Sequence, residues 1–152
     1  MKLKPNYIVI PLITVIVALA GSYLTRGGME WYDTQLVQPD FTPPNWAFPI
    51  AWNTIFALTT ISALIVWNKK GWNLIAALFI LNAVLNVVWS LLFFNLHMLT
   101  PAFIEMIILE LTLLALIPLI WKTSKTASLL LLPYTLWVGF ATYLTYMIVT
   151  LN

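Results

Sequence analysis

The chain has no cysteine and a single histidine, His97, which excludes disulfide frameworks, thiolate metal sites and clustered imidazole ligands. Charge is scarce as well. Charged residues make up 8 % of the 152 positions and hydrophobic residues 62 %, whereas a soluble domain carries roughly 25 % charged residues. Such a chain cannot clothe itself for water, so a soluble globular domain is excluded. The net charge of +2 is small and dispersed, which argues against a nucleic-acid partner. Five glycines form no phosphate-cradling loop. No nucleophile–base–acid set and no carboxylate cluster for a metal stands out, so neither a conventional enzyme nor a metal site is expected.

What is present is apolar length. A membrane-spanning helix needs about 20 mostly apolar residues, and five segments qualify: 7–25, 46–67, 72–94, 101–121 and 127–151. The expected fold is an all-α membrane protein, a five-transmembrane-helix bundle forming a single domain over 1–152. Short polar breaks separate the later segments. The first connection, 26–45, is long, and it holds Trp31, Tyr32, Phe41 and several prolines. Loops of that length are usually functional or disordered, and the aromatic content predicts a packed lid. Pro49, Pro118 and Pro133 are expected to begin or kink helices.

Basic residues set an orientation. With five spans, the N-terminus and the second and fourth connections share a side, which holds Lys2, Lys4, Lys69, Lys70, Lys122 and Lys125. The other side holds Arg26 with Glu30, Asp33 and Asp40. The bias predicts a multi-pass protein of a bacterial cell membrane with its N-terminus in the cytoplasm.

The eight tryptophans divide into two groups. Trp31, Trp46, Trp67, Trp72 and Trp121 fall at predicted helix ends or in the first loop, where an interfacial aromatic belt explains them. Trp52, Trp89 and Trp137 lie deeper. On the third segment Asn82, Asn86, Trp89, Ser90 and Phe93 share one helical face. Lipid would penalise two exposed amides, so this face points into the bundle, as interhelical glue or to orient a ligand. Tyr134, Trp137 and Ala141 share a face on the fifth segment, and Phe48, Trp52, Phe56 and Thr59 on the second. If these stripes meet, they enclose an apolar, aromatic cavity with few polar groups, the usual character of a small-molecule pocket.

Two acids interrupt the fourth segment. Glu105 lies near its start and reaches the interface, whereas Glu110 lies deeper, and an intramembrane carboxylate is a candidate functional acid. The bland reading of Glu110 is a protonated carboxyl bonded to a neighbouring helix. His97, in a predicted turn, reads more readily as a polar anchor than as a haem ligand. Two stretches, 4–9 and 26–36, fit the permissive reversed sterol pattern; the forward pattern fails in the last segment for want of a basic residue after Tyr143 or Tyr146.

Three motifs resemble one family. Trp31-Tyr32, with the run Pro39-Asp40-Phe41-Thr42-Pro43-Pro44-Asn45-Trp46-Ala47-Phe48-Pro49-Ile50-Ala51-Trp52, resembles the signature of the TspO/MBR proteins, the tryptophan-rich sensory and translocator proteins. Leu85 to Phe94 resembles their third-helix motif, and Pro133-Tyr134 with Trp137 and Phe140-Ala141-Thr142 their fifth-helix motif. Phe41 stands where the family often has tryptophan, and Thr145 replaces a frequent asparagine.

The resemblance implies a five-helix bundle, often a homodimer, that binds porphyrins and in some members sterols or synthetic flat ligands. By motif position it implies a ligand site at Tyr32, Trp52, Asn86, Trp89, Trp137 and Ala141, to which the helical stripes add Phe56 and Ser90. It implies no obligatory cofactor; the ligand expected is a porphyrin such as protoporphyrin IX or a haem-like tetrapyrrole. Membrane lipid and a small hydrophobic ligand are the expected partners. Three functions follow: a receptor or carrier for a flat hydrophobic ligand; light-dependent porphyrin degradation with Trp52 and Trp137 as redox relays; or a lipid, sterol or proton-coupled transporter, the last using Glu110.

Overall fold

A computed structural model describes residues 4–152. Lys2, one of the basic residues counted above, lies outside them. The described residues form helices throughout, without a strand, and five of the helical segments are long and apolar enough to cross a membrane.

The first helix, α1, spans Asn6–Gln35, ten residues beyond the predicted end at residue 25. The connection predicted over 26–45 therefore shrinks to the segment between Gln35 and Ala47. The physical reason lies at Gly27-Gly28, which reads as a break in sequence. Here it is a contact: a Cβ placed on Gly28 would fall 2.0 Å from the carbonyl oxygen of Phe94. Only glycine lets α1 lie against that backbone, and the packing outweighs the roughly 1 kcal/mol helix cost of each glycine.

Helix α2 spans Ala47–Lys70, with Pro49 in its first turn, where a missing N–H costs nothing. It ends at Gly71, whose φ of 61° is the left-handed conformation that glycine adopts freely. Helix α3, Leu74–Ser90, is capped by Asn73, whose side chain accepts from the backbone N–H of Ile75 and Ala76 at 2.8 and 3.2 Å. It passes into a π-helical turn over Leu91–Asn95. The widened turn buries the consecutive rings of Phe93 and Phe94 together; such turns recur at functional sites. Helix α4 spans Leu99–Trp121.

The fifth predicted span is two helices, a short α5 over Lys125–Leu129 and α6 over Leu132–Leu151. Pro133 explains the break, because it cannot donate to the carbonyl of Leu129 and its ring crowds that turn. Ser124 caps α5 by accepting from Ala127.

Helix α4 is the centre of the bundle. Met106, Leu109, Leu113, Leu116 and Ile120 are fully buried; the first three pack with Tyr134, Val138 and Ala141 of α6 and with Ile55 of α2, the last two with Val66, Ile75, Ala127 and Leu131. Helices in lipid gain no hydrophobic drive from one another, so close packing and hydrogen bonds hold them. Ser62 of α2 donates to Ala127 of α5 at 2.7 Å, and Ser128 donates to Ile117 of α4 at 2.7 Å. Helix α1 is held far less: 6 % of its most apolar stretch is buried, against 39 % for α4.

Candidate functional site

The polar face predicted on α3 points inward. Asn82 donates to Thr112 of α4 at 3.1 Å, and the hydroxyl of Tyr134 on α6 donates to Asn82 Oδ1 at 2.9 Å. Asn86 donates to the Tyr134 hydroxyl and to the Asn82 carbonyl. One network thus ties three helices together, so Asn82 is glue. Asn86 has a second role, because it also lines a cavity.

That cavity has a volume of about 380 Å³, within the usual range of roughly 300–1,000 Å³ for small-molecule pockets. It lies among α1, α2, the end of α3 and α6. From α2 come Phe48, Trp52 and Phe56, one helical stripe at spacings of four. From α3 and its π turn come Asn86, Trp89, Ser90, Phe93 and Phe94. Helix α1 supplies Gly21, Thr25, Arg26, Met29 and Tyr32, and α6 supplies Ala141, Leu144, Thr145 and Ile148. The rings brace one another: Trp89 stacks on Phe93 at 5.3 Å, Trp52 tilts on Phe56 at 5.6 Å and meets Tyr134 edge-on at 6.1 Å. Tyr32 packs against both Phe93 and Phe94. Arg26 is the one charged residue in the wall, with Asn45 and Asn53 as further polar groups.

Of the predicted site residues, Tyr32, Trp52, Phe56, Asn86, Trp89, Ser90 and Ala141 all line this cavity. Trp137 does not. Its ring lies edge-on to Phe48 at 5.9 Å and against Phe140 at 5.7 Å, so it stands behind the wall, with a buried indole N–H that finds no partner. A ring slotted between Trp52 and Trp137 is therefore not the arrangement found here; Phe48 intervenes on the Trp137 side. Glu110 is also absent from the wall. It faces α6, where a Cβ on Gly139 would lie 3.9 Å from its Oε1, and its Oε2 is buried without a partner. Both oxygens of Glu105 are likewise buried and unpartnered. His97 sits outside the cavity, with a φ of 54°, stacked on Trp31 at 3.9 Å.

The shortened first connection is pinned down. Asn45 donates to the Asp33 carboxylate at 3.1 and 3.2 Å, Gln38 donates to the Tyr32 carbonyl at 2.8 Å, and Asn152 exchanges two hydrogen bonds with the Val37 backbone. Phe41 stacks on Tyr143 of α6 at 5.5 Å. The packing expected of this loop is present, although only Asn45 from it reaches the cavity.

Of the α1 wall, only Tyr32 is among the residues expected from the sequence. Gly21, Thr25, Met29 and Tyr32 repeat at i, i+4, i+8 and i+11, which is a helical face. The signal was there, and the double glycine hid it.

The chain, with its cavity walled by tryptophan and reached by Asn45 of the Pro-Pro-Asn-Trp run, matches the TspO/MBR family model over residues 8–151. The chain belongs to the TspO/MBR family. It is 34 % identical over 144 residues to the tryptophan-rich protein TspO of Chlorobaculum tepidum, covering 92 % of this chain and 91 % of that one. It is 28 % identical over 145 residues to the tryptophan-rich sensory protein of Cereibacter sphaeroides, covering 93 % and 91 %. The human translocator protein is 27 % identical over 132 residues, covering 83 % and 78 %. The protein is thus an integral, multi-pass TspO/MBR membrane protein, of a family whose members carry the names sensory protein and translocator protein.

Proposed function

We propose that this TspO/MBR protein is a membrane receptor or carrier for a flat hydrophobic ligand with an acidic edge, of the porphyrin class. The observation that carries the reading is the wall of the 380 Å³ cavity: rings from α1, α2, α3 and the π turn, with Arg26 as its single charge. Rings favour a planar partner by offset stacking and edge contacts. A guanidinium at the rim suits a carboxylate. Among the described residues none donates to Asn86 Oδ1, which leaves an acceptor for a donor group on the polar edge of such a ligand.

The lysines support an orientation. Lys4, Lys69, Lys70, Lys122 and Lys125 gather at one end of the bundle, opposite Arg26. In this reading the lysine end is cytoplasmic in a bacterial cell membrane, and the cavity opens toward the outer leaflet.

Titration of the purified protein with protoporphyrin IX, following tryptophan fluorescence, tests the reading. Saturable quenching in the dark is expected. Trp52→Ala should weaken it by about 2 kcal/mol, roughly 30-fold in Kd, as for other central aromatic contacts. Trp137→Phe should change it much less, because Trp137 stands behind Phe48. Absence of saturable quenching in the native protein would remove the tetrapyrrole reading. Illumination then separates binding from degradation: a pure binder leaves the porphyrin absorption band no weaker than in a detergent control.

A further inference from the structure

A second cavity, of about 500 Å³, lies at the lysine end of the bundle, among the first half of α1, the second half of α2 and the first half of α3. It shares Val17, Phe56 and Asn86 with the first cavity, so these three residues form the floor between them. Apart from that floor the two cavities share no lining residue, although Asn82 and Tyr134 of the interhelical network also face this one. We propose that this cavity holds one acyl chain of an anionic phospholipid, whose headgroup lies against Lys4 and Lys70. The proposal does not rest on the tetrapyrrole reading.

Three observations carry it. The first is length. The cavity runs along α1 from Asn6 to Val17 and along α2 from Phe56 to Trp67. Eleven residues of helix span about 16 Å at roughly 1.5 Å per residue. One leaflet of a bilayer, half of a hydrocarbon core roughly 30 Å thick, measures about 15 Å. The cavity is as deep as a single leaflet, and its mouth lies at that leaflet's surface.

The second is access. The seam between α1 and α2 is closed by hydrogen bonds: Asn6 to Asn68 at 3.1 Å, Asn68 to the Tyr7 hydroxyl at 2.8 Å, and Thr14 with Thr60 at 2.7 Å. Among the described residues no side-chain hydrogen bond joins α1 to α3. That seam instead carries Val9, Ile13 and Ile80, apolar lining residues that are also exposed at the surface. An apolar chain can therefore enter sideways from the bilayer. A hydrocarbon chain lying there gains dispersion contacts along the whole apolar lining.

The third is charge. Lys4 precedes the mouth residue Pro5, and Lys70 stands between the mouth residues Trp67 and Trp72, which pack edge-on at 6.3 Å. Lys69 is engaged, donating to the Thr123 carbonyl at 3.2 Å. No aspartate or glutamate lies in the sequence near these helix ends. A cationic mouth above a leaflet-deep hydrocarbon slot selects a lipid with an anionic headgroup.

Native mass spectrometry of the full chain, extracted from vesicles of equal palmitoyl-oleoyl phosphatidylglycerol and phosphatidylcholine, provides the test. One retained phosphatidylglycerol is expected, well in excess of phosphatidylcholine. The double variant Lys4→Gln with Lys70→Gln should still retain a lipid but lose headgroup preference, by about fivefold per lysine. The double variant Ala63→Leu with Ala83→Leu fills the slot and should retain none, with its helical circular dichroism unchanged. Equal retention of the two lipids by the native protein would overturn the proposal, as would full retention by the folded slot-filled variant. Should that variant fail to fold, the lysine variant decides, because its changes are on exposed side chains: an unaltered phosphatidylglycerol preference overturns the assignment.

Discussion

The two cavities are built on the same three helices and share a floor, yet their walls have little else in common. The one at the loop end is a cage of rings from α1, α2 and the π turn, closed on its fourth side by α6. The one at the lysine end is aliphatic along most of its length, has rings mainly at its mouth and floor, and opens between α1 and α3. Backbone geometry, not composition alone, makes the difference. At the loop end, Gly28 lets α1 lie against the Phe94 backbone and the π turn swings Phe93 and Phe94 inward. At the other end, among the described residues, no side-chain hydrogen bond joins α1 to α3, and the seam is lined by the exposed apolar residues Val9, Ile13 and Ile80. One end of the bundle is shaped for a rigid flat molecule, and the other for a flexible chain.

The largest expected effect breaks that comparison at its source. Gly28→Ala places a methyl 2.0 Å from the Phe94 carbonyl oxygen, a backbone atom that cannot rotate away. Either α1 or the π turn must shift, and the cost should be about 3 kcal/mol, the upper end of ordinary overpacking. A lowered thermal midpoint in detergent would register it. Porphyrin quenching should fall with it, while lipid retention at the lysine end persists, because Gly28 is remote from that cavity. Equal loss of both would mean that the two ends do not move independently.

That glycine also marks the limit of what could be read from the sequence. Five spans, the inward polar face of α3 and the α2 and α3 stripes that line the cavity were legible, because amphipathic spacing and deep tryptophans are local signals. Gly27-Gly28 signals a break in any single sequence; only the approach of Phe94, some 66 positions away, turns it into a helix-packing contact. Trp137, expected in the wall, is not among the residues that line the cavity, for a related reason. Its helical face was right, but whether it or Phe48 stands foremost depends on how α2 and α6 rotate against each other, which no spacing rule reports. The second cavity left no trace, since Val9, Ile13 and Ile80 read the same whether they face lipid or a slot that lipid enters.

A smaller effect is expected at Tyr134, the hydrogen-bond partner of the floor residue Asn86. Tyr134→Phe removes the hydroxyl that donates to Asn82 and accepts from Asn86, leaving the buried ring in place. Interhelical hydrogen bonds in membranes are worth about 0.6 kcal/mol each, so a loss of about 1 kcal/mol in stability is expected. Freed from Tyr134, Asn86 can reorient in both cavities at once. The variant should therefore alter porphyrin affinity and lipid retention together, which neither wall substitution does.

The smallest effect belongs to Arg26, and it sharpens the comparison most. As a half-solvated ion pair at the rim, a guanidinium and a ligand carboxylate should contribute about 0.2–1 kcal/mol. Arg26→Gln should thus weaken protoporphyrin binding by only about 1.4- to fivefold, with a loss that shrinks as salt is raised. The dimethyl ester of the same porphyrin completes a double-difference cycle. If Arg26 reads the acidic edge, native protein and variant bind the ester equally. If the variant binds the ester as weakly as it binds the acid, Arg26 contributes through its apolar stem, and the first cavity selects flat molecules by shape alone. In that case charge recognition in this bundle belongs only to the lysine end, and the two cavities differ in kind and not merely in the ligand they admit.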